Sequence, residues 1–253
     1  MIAARRRRLP IAMSLREAED IAGRLGKPSK LPGYSYGLDA RRCRRGGQMR
    51  GVPGSVCSTC YALNDFYATW TPVAKGHSKR HDGLEHPLWV DAMVTLIAHH
   101  CRPPNHYFRW HDSGDLQSPE HLERIIDVCR RTPDVRHWLP TREYADVAEV
   151  ARRRMLPASM LGTIVDLIPA LAAAAFPPNL VIRLSAEMVD SEPVVPMELS
   201  ALPTSTVQTA AGLPSDRMPS GRSARQCLWS MPRVLGRARA QRELPAALRE
   251  DAQ

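Results

Sequence analysis

With 253 residues and 43% hydrophobic content, the chain carries enough apolar material for a full-sized core, as one large domain or a domain with an appendage. A net charge of +9, with arginines grouped at residues 5–8, 41–45 and 152–154 and in the C-terminal tail, is compatible with an anionic partner such as nucleic acid or phosphate and equally with solvated arginine runs. No segment approaches membrane-spanning length and Met1–Pro10 leads into no signal-peptide apolar run, so a bacterial cytoplasm without membrane attachment is expected, where six cysteines are metal-bound, catalytic or buried rather than paired.

In chain order, Ser14 to Glu17 has capping-box spacing, and Leu15, Ala18, Ile21, Ala22 and Leu25 share a helical face before Gly26. Lys27 to Pro53, rich in Gly, Pro and Arg, is expected as loop or short strand. It leads into Cys57-Ser58-Thr59-Cys60, a pair whose spacing lets both thiols close on one metal, with Cys43 fourteen residues upstream. The arginines flanking Cys43 are expected to lower its pKa.

Between His86 and His100, Leu88, Ala92, Met93, Leu96 and Ile97 predict a core-facing helix. His106 to His111 reads as a strand opening into Asp112-Ser113-Gly114-Asp115, followed by a helix capped by Ser118 with Pro119 at its first position. The order repeats: strand Val135–Leu139, break at Pro140 to Glu143, helix through Val147, Val150 and Ala151. A helical stretch from Met160 to Phe176, interrupted by Pro169, then precedes strands at Leu180–Ser185 and Thr204–Gln208. This alternation predicts an α/β fold, a partial (β/α) barrel or a parallel sheet flanked by helices, with a cysteine-bearing N-terminal loop. The expected divisions are an N-terminal helical extension at 1–29, the α/β domain at 30–208 and an irregular tail at 209–253.

In such folds sites gather at the carboxyl ends of strands. That rule makes Asp112, Asp115, Arg142 and Glu143 catalytic candidates, and His111, Ser113, Gly114 and Ser185 cofactor-binding ones; Asp112, Ser113 and Asp115 could instead only form a turn and cap a helix. Cys43, Cys57 and Cys60 are the metal candidates. For zinc, His77, His81 or Cys227 could add a fourth ligand, whereas three cysteines alone suit an iron–sulfur cluster with one open iron. Cys101 and Cys129 read as core residues. The chain lacks a Gly-rich phosphate loop, a nucleophile elbow and a paired-His zinc-hydrolase motif, which removes support for the common kinase and hydrolase readings.

Six stretches in order, Lys30–Leu38, Val52–Ala62, Phe108–Leu116, Trp138–Glu143, Pro178–Ala186 and Thr204–Val207, resemble the phage and prophage family called gene product 88. The resemblance implies a second cysteine-rich segment after Thr204–Val207, where this chain has only Cys227. A frame shift near residue 208 or divergence of the tail is the hypothesis this motivates; one uninterrupted frame with this tail in independent isolates would refute the shift. Cys57-x2-Cys60-Tyr61 and Ser113-Gly114-Asp115 also resemble, more weakly, the cysteine loop and cofactor turn of radical S-adenosylmethionine enzymes, which implies S-adenosylmethionine as a cofactor. The thirteen residues between Cys43 and Cys57 depart from that superfamily's short spacing. A zinc-stabilised, non-catalytic nucleic-acid-binding accessory protein is the alternative.

Overall fold

The structure, a computed structural model, describes residues 12–64, 67, 70–155 and 168–209. The predicted tail beyond 209, with Cys227, and residues 160–167 of the stretch read as helical from Met160 lie outside these residues.

Helix α1 (Leu15–Ala22) starts as its capping box predicts: Ser14 Oγ accepts from the Glu17 amide at 3.3 Å and the Glu17 carboxylate accepts from the Ser14 amide at 2.8 Å. Ala18 and Ala22 are buried in the same core as the helices that follow. Strand β1 (Tyr34–Tyr36) leads through a 3-10 turn at Ala40–Arg42 into α2 (Arg44–Met49), α3 (Tyr61–Asn64), α4 (Thr71–Gly83) and α5 (Trp89–His100). Then come β2 (Tyr107–Trp110), α6 (Pro119–Arg131), β3 (Arg136–Thr141), α7 (Tyr144–Arg154), α8 (Ile168–Ala174), β4 (Leu180–Val189) and β5 (Thr204–Val207).

The five strands form one parallel sheet in the order β1-β2-β3-β4-β5. Because parallel crossovers are right-handed, a sheet laid down in sequence order receives its helices on a single face. The burial pattern agrees. Tyr36, Phe108, Trp110, Leu139, Leu180, Ile182 and Leu184 point into a core shared with Trp89, Leu96, Leu122, Ile125 and Val147, while alternate residues occupy the other face. Cys101 and Cys129 are buried in this core, as expected.

Three helices, α2, α3 and α4, arise in segments where sequence pattern predicted none. Residues 44–49 contain Gly46 and Gly47, poor helix formers, and the helix there is held by ion pairs to distant strand ends rather than by propensity. Helix α4 buries only His77 and Gly83, so it has no apolar period to find. It is fixed instead by Tyr36, whose hydroxyl lies 3.0 Å from the Arg80 carbonyl, and by Arg80, whose Nη1 donates to the Gly37 carbonyl at 2.9 Å.

Candidate functional site

The cysteines are brought to the sheet by β4. Past Ser185 its register with β5 is broken, and its end pairs antiparallel with the cysteine segment: Val56 N donates to the Glu187 carbonyl at 2.8 Å and Val189 N to the Gly54 carbonyl at 2.9 Å. Cys57 follows in a turn and Cys60 immediately precedes α3. Cys43 lies between the 3-10 turn and α2, so the cysteines flank short helices rather than share one loop.

All three thiols are free and partly buried. Cys43 and Cys57 converge over α2: a Cβ on Gly46 would lie 3.7 Å from Cys43 Sγ and 3.5 Å from Cys57 Sγ. The expectation that nearby arginines depress the Cys43 pKa fails. Burial pushes the thiol up, and Asp115, Cys60, Cys57 and Glu143 push the same way. Arg44 and Arg45 are directed elsewhere, Arg44 to Glu143 (3.3 Å) and Asp146, Arg45 to Glu187 (2.6 Å). Burial also raises Cys57, against an opposing contribution from Arg142.

The acidic candidates sit at the same end of the sheet. Asp115 is buried and accepts three hydrogen bonds, from Thr141 Oγ1 (2.6 Å), Leu116 N (2.8 Å) and Arg142 N (3.0 Å), joining the ends of β2 and β3. Burial nevertheless pushes its pKa up. Glu143 accepts from the Arg45 amide at 2.8 Å, and burial raises it too. Arg142 donates from Nε to the Ala186 carbonyl at 2.8 Å, beside Cys57. Ser185 offers its carbonyl to Tyr144 and its Oγ to Ser205 at 3.2 Å.

Asp112 and Ser113 occupy the end of β2. Asp112 Oδ2 accepts from the Tyr67 hydroxyl at 2.9 Å, and the Asp112 carbonyl accepts from Tyr61. Asp112 Oδ1 and Ser113 Oγ are buried with no hydrogen-bond partner among the described residues. The aspartates do not cap the following helix; Ser118 does, accepting from His121 N at 3.1 Å. His111 is not part of this polar group. Its ring turns into the core, Nδ1 donating to the Tyr36 carbonyl at 2.7 Å beside His121. His77 stacks on Tyr67 near Asp112.

Gly114 permits the turn, with φ +80° and a virtual Cβ only 2.7 Å from Leu38 Cβ. Gly114→Ala is therefore expected to cost about 2–3 kcal/mol from backbone strain and overpacking, checked by chemical denaturation. An unchanged midpoint would contradict the tight fit.

Sequence reasoning missed Arg44, Arg45, Tyr67 and Asp146. Their partners lie 45 to 142 residues away in the chain, so no spacing rule could have found them.

Together these features define a parallel α/β protein with thiols, carboxylates and arginines gathered at the carboxyl ends of its strands. The chain belongs to the gene product 88 family, whose family model matches residues 14–193, more than half of its length. No curated protein and no solved structure matches it. Among the described residues, no three or more His, Cys, Asp or Glu side chains stand in a metal-holding arrangement, and no helix is long and apolar enough to cross a membrane.

Proposed function

We propose that this gene product 88 protein is an iron–sulfur enzyme of the radical S-adenosylmethionine type, acting in the bacterial cytoplasm on a nucleotide or nucleic acid. The observation that carries the reading is the approach of three free thiols, Cys43 from one segment and Cys57 and Cys60 from another, beside Asp115, Arg142 and Glu143 at the strand ends. Three thiols without a histidine among them suit iron–sulfur ligation, and a bound cation would offset the burial and the neighbouring negative charge that push Cys43 and Cys57 up. Residues Cys43, Cys57 and Cys60 would hold the cluster, which supplies one-electron reduction of a bound S-adenosylmethionine.

The chain's own groups have separable tasks in this reading. Asp112 Oδ1 and Ser113 Oγ, buried without partners, are the free polar atoms that would orient the cofactor. Asp115 and Glu143 act as positioning residues, since their oxygens already hold the β3 end and α2. Arg142 places a positive charge beside Cys57.

The zinc-stabilised binding alternative asks the arginines at 41–45 to contact phosphate. They face carboxylates instead: Arg41 meets Asp39 at 2.7 Å, Arg42 approaches Asp82 at 4.0 Å, and Arg44 and Arg45 hold Glu143, Asp146 and Glu187. Breaking those pairs to bind nucleic acid would offset part of the electrostatic gain.

Anaerobic purification followed by visible absorption and metal analysis, on the wild type and on Cys57→Ala, tests the proposal. A brown protein containing iron, with colour lost in the variant, is the expected result. A colourless protein holding about one zinc would overturn it and bring forward the binding alternative.

A further inference from the structure

The sheet face turned away from the helices is not apolar. Alternation along the strands places Ser35, Arg109, Trp138, Arg183 and Ser185 there, and in register Arg109 neighbours Ser35 on one side and Trp138 on the other, while Arg183 neighbours Pro140. The Arg109 guanidinium lies over the Trp138 ring, 4.7 Å from its centroid. Both arginines are partly buried, and Arg109 Nε, Arg183 Nε and Ser35 Oγ have no hydrogen-bond partner among the described residues. Among the described residues neither arginine forms an ion pair, whereas Arg44, Arg45, Arg131 and Arg154 all do.

Two partly buried guanidinium groups without a directly paired carboxylate have lost part of their hydration with no ion pair to replace it. They project from strands on either side of β3 and two residues apart along it, about 12 Å apart in the sheet, a span that two arginine side chains can close onto one ligand. Guanidinium groups favour phosphate oxygens through paired hydrogen bonds, and Trp138 between them offers a flat wall. We infer that this face binds a phosphate-bearing small molecule, with Arg109 and Arg183 as its phosphate ligands. The inference names the substrate class for the function proposed above and rests on that reading only in calling the ligand a substrate.

The test is isothermal titration of the full chain with inorganic pyrophosphate at low salt, for the wild type, Arg109→Gln, Arg183→Gln and, as a control, Arg152→Gln, whose side chain pairs with Glu149 on an exposed helix face. Losing one charge-assisted contact should weaken binding by roughly tenfold or more in each sheet variant and leave the control unchanged. Phenylglyoxal labelling of the wild type, read by mass spectrometry, requires no variant: pyrophosphate should protect Arg109 and Arg183. Absence of wild-type binding, equal affinity in all four proteins, or protection confined to other arginines would overturn the inference. Cys57→Ala should bind pyrophosphate as the wild type does. A colourless wild type that still binds through these arginines would remove the iron–sulfur reading and leave the phosphate site standing; an iron-containing protein with no such binding would do the reverse.

Discussion

Replacing Asp115 with alanine is expected to lower the melting temperature by roughly 10 °C, from a loss of about 3–5 kcal/mol at about 2–4 °C per kcal/mol for a domain of this size. The carboxylate is the shared acceptor for Thr141 Oγ1, Leu116 N and Arg142 N, and its removal strands all three donors in a buried site. Each unpaired buried donor costs about 1–3 kcal/mol, partly offset because a desolvated carboxylate disappears with it. Asparagine separates the contributions. Its carbonyl can still accept from Thr141 and Leu116, but its amide then faces the Arg142 N–H donor to donor, so Asp115→Asn should recover about half the loss. Equal stability of wild type and alanine variant in thermal melts would show that Asp115 does not tie β2 to β3. Since Thr141 in turn accepts from Glu143 N at 3.0 Å, the alanine variant should also loosen the contact between Glu143 and the Arg45 amide of α2.

A second large effect comes from three imidazoles on the helix side of the sheet. Burial pushes His111 down to about 4, His137 down to about 3 and His121 well below the usual histidine value. Their hydrogen bonds suit neutral rings: Trp110 Nε1 donates to His137 Nδ1 at 3.2 Å, and Gln117 N donates to His121 Nδ1 at 3.3 Å, so a proton at either acceptor nitrogen would meet another donor. The folded pKa values lie below the unfolded value near 6.5, so the unfolded chain binds more protons in that window. Stability is therefore complete above about pH 6.5 and declines as pH falls toward the folded values. Each group contributes at most about 1.4 kcal/mol per pH unit, so from pH 7 to pH 5 the melting temperature should fall on the order of 10 °C, before most carboxylates titrate. His137→Gln should make the decline shallower. A melting temperature level over that range would mean that the rings become charged in the fold.

Short-range signals were sufficient for most of the architecture. Ser14 and Glu17, or Ser118 and Pro119, carry a helix start within four residues, because capping satisfies local backbone donors. Strand alternation in Leu180 to Ser185 is likewise local, and the observed β4 extends it to Val189. From these elements followed the α/β class and the placement of Asp112, Asp115, Arg142 and Glu143 at strand ends; Ser185, expected at the end of its strand, lies inside β4 because the strand runs on to pair with the cysteine segment. Helix α4 escaped notice because it buries too little apolar surface to leave a period.

The sequence by itself determined helix α1, the alternation of strands and helices from α5 onward, the α/β class, and the identity of the polar residues at the carboxyl ends of β2 and β3. Only the tertiary structure decided which of those residues face one another. Burial, with Asp115 and Glu143 nearby, pushes Cys43 up while Arg44 and Arg45 turn to Glu143 and Glu187, 99 and 142 residues away; His111 turns into the core; and Arg109 and Arg183 emerge on the opposite face with no ion pair among the described residues. Hydrogen-bonded caps and side-chain periods act over a few residues and can be read along the chain. Charge pairing and burial act through space between strands brought together by folding, so their sign at any one residue is fixed only when the sheet has formed.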